Sequence, residues 1–333
     1  MSWPTFWTKQ KSWQSYVLKP LASLVCFVAS KRLQKFLDNP PNKQTSATVI
    51  VVGNIVVGGS GKTPFILWLA KELEQQKISY GIVSRGYGGK SENYPILVNE
   101  KSLPQQVGDE PVLFQQRLNC PIAVSPNRVD AIKLLTKNQK LDIIISDDGL
   151  QHYAMARDIE VIVFDGERGL GNDLCMPAGP LREKSERLKM TKFIVTNGKN
   201  KDLKLAKLST KLYKMKLTPI VFRRINNPNK TRPIAFFAEQ SVYAIAGIGN
   251  PKRFYQTLSS LDIQITEKDF PDHKNYQLND FNWKEKAKPL LMTEKDAVKC
   301  SSFAEDDWWY LEVQPTCSVE LAQQILKEYS HGR

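Results

Sequence analysis

Gly58-Gly59-Ser60-Gly61-Lys62-Thr63 puts three glycines, a lysine and a threonine in an order suited to a triphosphate. Glycines let the backbone wrap around phosphate oxygens and aim several N–H groups at them. Lys62 would reach the β- and γ-phosphates, and the Thr63 hydroxyl would complete a Mg²⁺ shell. The usual pattern has glycine five residues before Gly61, where this chain has Val56, so Gly58 and Gly59 must supply the flexibility. The expected nucleotide contacts are Val56, Val57, Gly58, Gly59, Ser60, Gly61, Lys62 and Thr63.

Other polar groups cluster where apolar runs end. Asp147 and Asp148 follow Ile143-Ile144-Ile145, a position from which carboxylates hold Mg²⁺ or its water shell beside a phosphate loop. Arg85, in Ser84-Arg85-Gly86-Tyr87-Gly88-Gly89, has the fork geometry to clamp a phosphate; the same stretch also reads as a mobile surface loop. Asp109, in Gly108-Asp109-Glu110-Pro111, suits either a helix cap or the carboxylate that phosphoryl transfer to a hydroxyl requires. His273 lies beside Asp272 in a polar loop and could orient a catalytic carboxylate across a cleft. Thr293-Glu294-Lys295-Asp296 reads as the working edge of a sheet or as a solvated strand end. The long irregular stretch from Asp165 to Glu183 has the length of a functional loop.

The elements that must position these groups alternate. A β-branched run over 49–52 precedes the loop, and an amphipathic helix over 65–76 follows it. Strands are predicted over 78–84, 121–124, 141–146, 160–164 and 193–196, with helices over 109–117 and 128–138. Near-continuous apolar runs belong to parallel strands buried on both faces. The fold class is therefore α/β: a P-loop NTPase-like, doubly wound, mostly parallel sheet whose ligands sit beyond the carboxyl ends of its strands. A second, smaller α/β unit begins near Ser241, with a helix over 252–261 and a strand over 290–292. It would hang on a two-stranded linker formed by 219–224 and 308–314. The expected divisions are an N-terminal segment 1–37, a kinase-like domain 38–218, the linker strands and smaller domain 219–315, and a helix in 316–333 returning to the first domain.

Composition narrows the partners. The 333 residues carry 47 Lys plus Arg against 34 Asp plus Glu, a net charge of +13 that favours an anionic partner. No basic tail or Arg-rich run is present, so nucleic acid is not expected. Asn197-Gly198-Lys199 falls short of a guanine-selecting element, which argues against a GTPase-like switch. Three histidines exclude a His-rich metal centre, and five scattered cysteines without a Cys-x-x-Cys pair argue against zinc or structural disulfides and for a reducing compartment. Residues 1–37 interleave Trp3, Phe6, Trp7, Trp13 and Tyr16 with lysines and arginine. The apolar stretch 20–30 is shorter than the roughly 20 residues a spanning helix needs. An interfacial segment on an acidic membrane face fits, and a helix packed on the protein's own core is the alternative.

In sequence, the motifs resemble those of the tetraacyldisaccharide 4′-kinases, the lipid A 4′-kinases of Gram-negative bacteria. The resemblance rests on the loop through Lys62-Thr63-Pro64, Ser84-Arg85-Gly86-Tyr87-Gly88, Gly108-Asp109-Glu110-Pro111, Asp147-Asp148-Gly149-Leu150-Gln151-His152 and Pro177-Ala178-Gly179-Pro180-Leu181-Arg182-Glu183. Gly247-Ile248-Gly249-Asn250-Pro251, Phe270-Pro271-Asp272-His273 and Thr293-Glu294-Lys295-Asp296-Ala297-Val298-Lys299 complete it. Many relatives have a second histidine where this chain has Lys274. The resemblance implies transfer of the ATP γ-phosphate to the 4′-hydroxyl of an acylated disaccharide 1-phosphate, giving lipid IVA. It implies Asp109 as general base with His273 completing a dyad, and Lys62 and Thr63 on phosphate and Mg²⁺. Asp147 and Asp148 would assist the metal, with Arg85 on phosphate. It also implies attachment at the cytoplasmic face of the inner membrane, peripheral or monotopic, and no obligate protein partner.

Overall fold

The structure, a computed structural model, describes residues 3–137, 139–207, 211–285 and 288–331. In chain order the first part contributes strands β1 (Thr48–Gly53), β2 (Tyr80–Ser84), β3 (Ile96–Leu97), β4 (Ile122–Val124), β5 (Ile143–Asp147), β6 (Ile159–Asp165) and β7 (Phe193–Asn197). They lie in the order β7-β6-β1-β5-β2-β4-β3, parallel except for the short antiparallel edge β3. The helices are α1 (Trp13–Asp38), α2 (Lys62–Gln75), α3 (Pro104–Val107), α4 (Asp109–Arg117), α5 (Arg128–Thr136) and α6 (Leu203–Ala206). The predicted helix over 128–138 ends at Thr136; Asn138 lies outside the described residues, as does Met1.

Why the sheet is doubly wound is visible in β1, whose six residues are all buried. Ile50 and Val52 pack with Phe65, Leu69 and Leu73 of α2 on one face. Val49 and Val51 pack with Ala131, Ile132 and Leu135 of α5 on the other. Each such aliphatic side chain contributes about 1.5–3 kcal/mol by leaving water. The alternation of strand side chains thus builds two cores on one ladder.

A single long strand, β8 (Leu212–Arg224), joins the two parts. Its first residues pair parallel with β7, in the register Ile194↔Leu212 to Asn197↔Met215. From Lys216 to Arg224 it pairs antiparallel with β13 (Trp308–Thr316). The second part adds β9 (Thr231–Pro233), which pairs with β8, then β10 (Ser241–Ala246), β11 (Gln264–Asp269) and β12 (Leu290–Thr293), giving the order β11-β10-β12-β13-β8. Helices α7 (Pro251–Ser259), α8 (Glu294–Cys300) and α9 (Val319–His331) complete the chain. In α9, Leu321, Ala322 and Ile325 return to the core that holds Phe65 and Ile50.

Two local readings need correction. β5 runs one residue further than predicted, so Asp147 is its last residue and Asp148 opens the turn, at φ 47°. Cys26 of α1 and Cys175 form a disulfide with Cα atoms 5.9 Å apart, although the scattered cysteines argued against one. The two lie 149 residues apart, and only the packing of α1 on the 165–183 loop brings them together.

Helix α1 buries only Ser15 and Ala22, and leaves Trp13 72%, Val17 68% and Phe27 58% exposed. Among the described residues no helix is long and apolar enough to cross a membrane.

Candidate active site

One cavity of about 1250 Å³ opens between the two parts, beyond the carboxyl ends of β1, β2 and β5. Gly58, Gly59, Ser60, Gly61, Lys62 and Thr63 line it, with Arg85, Asp147, Asp148 and His273. The loop turns into α2 at Gly61, whose φ of 100° sets the helix entry. A side chain there would meet the Asn197 amide at 2.5 Å, so only glycine fits. Val56 and Val57, both read as cradle residues, have their N–H groups engaged elsewhere. Val56 donates to Asn54 Oδ1 at 3.0 Å and is buried; Val57 donates to the Pro180 carbonyl at 3.0 Å. The first N–H of the loop without such a partner therefore lies at Gly58 or beyond, and valine is tolerated at 56 because its side chain fills the core beneath the loop.

The two aspartates at the end of β5 stand in different surroundings. Asp147 is buried; its Oδ2 accepts from the Ser84 hydroxyl at 3.0 Å, and its Oδ1 has no partner. Burial, reinforced by the Glu110 charge, pushes its carboxyl up to about 8. Asp148 lies 3.5 Å from Lys62 Nζ and 3.2 Å from Arg182 Nη1. Burial works to raise its carboxyl, but Lys62 and Arg182 outweigh it and hold the group well below the usual carboxylate range. Of the two aspartates expected as metal partners, Asp148 pairs with two cations, while Asp147 presents a free oxygen. The Thr63 hydroxyl, which donates to Glu110 Oε1 at 3.2 Å, is the other hard oxygen beside the loop. A Mg²⁺ ion, which favours one or two carboxylates plus phosphate and water oxygens, fits this donor set.

Asp109 and His273, 164 residues apart, meet at the wall of the cavity: His273 lines it, and its Nδ1 lies 3.2 Å from Oδ2 of the buried Asp109. Asp109 is the first residue of α4 rather than its cap: Gly108 occupies that position, and Asp109 Oδ1 accepts from the Glu110 N–H at 3.0 Å. The positive end of the helix favours the ionised carboxylate. His273 sits at φ 57°, with the Tyr87 ring edge-on at 4.5 Å.

Sequence reasoning gave no role to Lys295, the second residue of α8, which completes this cluster. Its Nζ lies 3.2 Å from Glu110 Oε1, 3.4 Å from His273 Nε2 and 3.8 Å from Asp109 Oδ2. An ammonium can only donate, so Nε2 must accept and the Nδ1–H must donate to Asp109. Burial tends to raise the Asp109 carboxyl, but Lys295 and the His273 bond override it and keep it well below the ordinary value. Glu294, one residue earlier, takes Arg117 at the far end of α4 at 2.7 Å, so α8 is clamped to α4 by two ion pairs of opposite polarity. The available signal was the Glu-Lys pair itself, which sequence alone could not distinguish from a solvated strand end. Arg85 stands exposed at the cavity rim. Arg182, on Asp148, went unassigned within its own motif.

Thr63, Glu110, Lys295, His273 and Asp109 thus form one connected chain of polar contacts from phosphate loop to buried carboxylate. The fold and this site define a phosphate-loop phosphotransferase. The tetraacyldisaccharide-1-P 4′-kinase family model matches residues 14–330. A tetraacyldisaccharide 4′-kinase of Hydrogenovibrio crunogenus is 54% identical over 99% of this chain and 98% of its own length. One from Haemophilus influenzae is 44% identical over 90% of this chain and 87% of its own. The crystal structure of Aquifex aeolicus LpxK in complex with ATP superposes with a TM-score of 0.77 at 26% identity, covering 95% of this chain and 99% of that one. The chain belongs to the tetraacyldisaccharide-1-P 4′-kinase family.

Proposed function

We propose that this protein transfers the γ-phosphate of ATP to the 4′-hydroxyl of a tetraacyldisaccharide 1-phosphate, giving lipid IVA in lipid A biosynthesis. The observation that carries this reading is the polar chain linking the loop at Thr63 to Asp109 through Glu110, Lys295 and His273. Gly58 to Thr63 hold the triphosphate, and Lys62 balances its charge. The 4′-oxygen attacks the γ-phosphorus as the bond from that phosphorus to the β–γ bridging oxygen breaks. ADP leaves, and the hydroxyl proton passes to the Asp109 carboxylate. His273 Nδ1–H holds that carboxylate in position, and Arg85 steadies phosphate at the rim. Positioning and charge neutralisation are the main sources of rate in such transfers. Thr63 and Asp147 would hold Mg²⁺, which when bound neutralises charge on the β- and γ-phosphate oxygens; Asp148 orients Lys62 and Arg182.

The acceptor is a lipid, and the outward face of α1 suits its delivery. Trp13, Tyr16, Val17, Leu21, Leu24 and Phe27 are exposed there, with Lys19, Lys31, Arg32 and Lys35 on the same helix. Such a helix lies in a headgroup layer, with cations towards acidic lipids. The site of action would be the cytoplasmic face of the bacterial inner membrane. The smaller domain, 219–315 with its linker strands, would hold His273 and Lys295 against Asp109 and Glu110 of the loop domain, 38–218, during transfer. Incubation of the purified protein with labelled ATP, Mg²⁺ and the disaccharide 1-phosphate in detergent tests the reading; label that stays off the 4′-position refutes it.

A further inference from the structure

The N-terminal residues carry two groups of aromatics that face opposite ways. Those of α1 point outward, whereas Trp3 and Trp7 turn inward and line the nucleotide cavity. The Trp3 Nε1–H donates to the Val57 carbonyl at 3.0 Å, immediately before the first residue of the cradle. Its ring is held by the Arg168 guanidinium at 5.3 Å and by Trp7, edge-on at 6.2 Å. Trp7 is fixed in turn, donating to the Pro177 carbonyl at 3.0 Å and accepting the Asn172 N–H at 2.7 Å.

Both backbone groups of Val57 are therefore engaged: its N–H by Pro180 and its carbonyl by Trp3. The Val57–Gly58 peptide is not among the cis bonds of the chain. In a planar trans peptide the N–H points opposite the carbonyl. Holding the carbonyl thus also fixes the direction of the Gly58 N–H, the first of the loop. Gly58, at φ 92°, has no side chain to fix that plane itself.

We propose that Trp3 is a positioning residue of the phosphate cradle, fixing the plane of the Val57–Gly58 peptide at the point where the cradle begins. The segment whose outer face suits a membrane is then also part of the nucleotide site. This rests on the reading of residues 58 to 63 as the ATP cradle.

The test uses full-length Trp3→Phe, which keeps an aromatic ring and removes the donor. One lost hydrogen bond predicts an ATP Kd and KM about five- to tenfold higher. The kcat at saturating ATP, the acceptor KM and co-sedimentation with anionic vesicles should stay near wild type. Trp7→Phe, which removes a donor from Pro177 instead, should weaken ATP less. Unchanged ATP affinity in Trp3→Phe, while Lys62→Ala loses binding, overturns the proposal alone. Unchanged affinity in both variants overturns the cradle reading itself. Loss of vesicle binding with intact ATP affinity assigns Trp3 to the membrane and also overturns it. Should Trp3→Phe fail to fold, the indole N–H of Trp3 in ¹⁵N-tryptophan-labelled wild type decides. It should exchange slowly and shift with ATP but not with adenosine; fast exchange overturns the proposal.

Discussion

Replacing Lys295 by Met removes a half-buried cation while keeping most of its stem. Its Nζ stands 3.8 Å from Asp109 Oδ2. At an effective dielectric near 20, opposite unit charges about 4 Å apart attract by about 4 kcal/mol. That energy corresponds to as much as about 3 pH units in the ionisation of Asp109. With Lys295 gone, burial and the unneutralised Glu110 push the carboxylate the same way. The sign follows from linkage. A carboxyl held low when folded stays ionised at every pH above that value, and its contribution to stability is lost only as pH falls through it. Wild-type kcat/KM should therefore show no acid limb from Asp109 over the working range. Lys295→Met should acquire one, with a deficit that shrinks as pH rises, and Lys295→Arg should follow the wild type. Breaking these partly enclosed pairs also lowers stability, so rates need normalising to the folded fraction from a thermal melt. The assay is phosphate transfer to the disaccharide 1-phosphate in detergent, measured across the acid range. A Lys295→Met profile superimposable on the wild type refutes the electrostatic role.

Asp109→Ala should lower turnover by about 10²–10⁴, the usual contribution of a positioned base, with ATP affinity changed only a few-fold; equilibrium binding beside turnover checks both, and unchanged turnover removes Asp109 from the base role. Val17→Asp with Leu24→Asp, on the outward face of α1, should abolish co-sedimentation with anionic vesicles while leaving ATP binding intact, because neither touches Trp3. That pair is a cleaner probe than deleting residues 1–37, which would also remove the Trp3 bond to Val57. Unfolded without reductant, the chain should present three thiols to a thiol reagent, from Cys120, Cys300 and Cys317; a count of five disproves the Cys26–Cys175 bond.

Elements whose side chains announce their surroundings were legible in the sequence. The apolar run of β1 and the glycines after it marked a buried strand and its loop, because a strand covered on both faces needs hydrophobic residues at every position. The span of α4, Asp109–Arg117, matched its prediction. By contrast, β11 passed unnoticed: Gln264-Ile265-Thr266-Glu267-Lys268-Asp269 is an exposed edge that pairs through its backbone, which leaves no periodic mark. The strand reading of 78–84 began two residues early, since a glycine-containing run does not show where pairing starts.

Chain order determined the parallel α/β layering, the phosphate loop and the set of residue types available for phosphoryl transfer, because periodicity and backbone permissiveness are local properties. The tertiary structure decided which groups meet. It set Lys295 against Asp109 and His273, gave Asp148 to Lys62 and Arg182 while leaving an Asp147 oxygen free, joined Cys26 to Cys175, and tied Trp3 to Val57. Such contacts join residues up to 186 positions apart. Their strength depends on distance and burial, which a linear sequence does not encode.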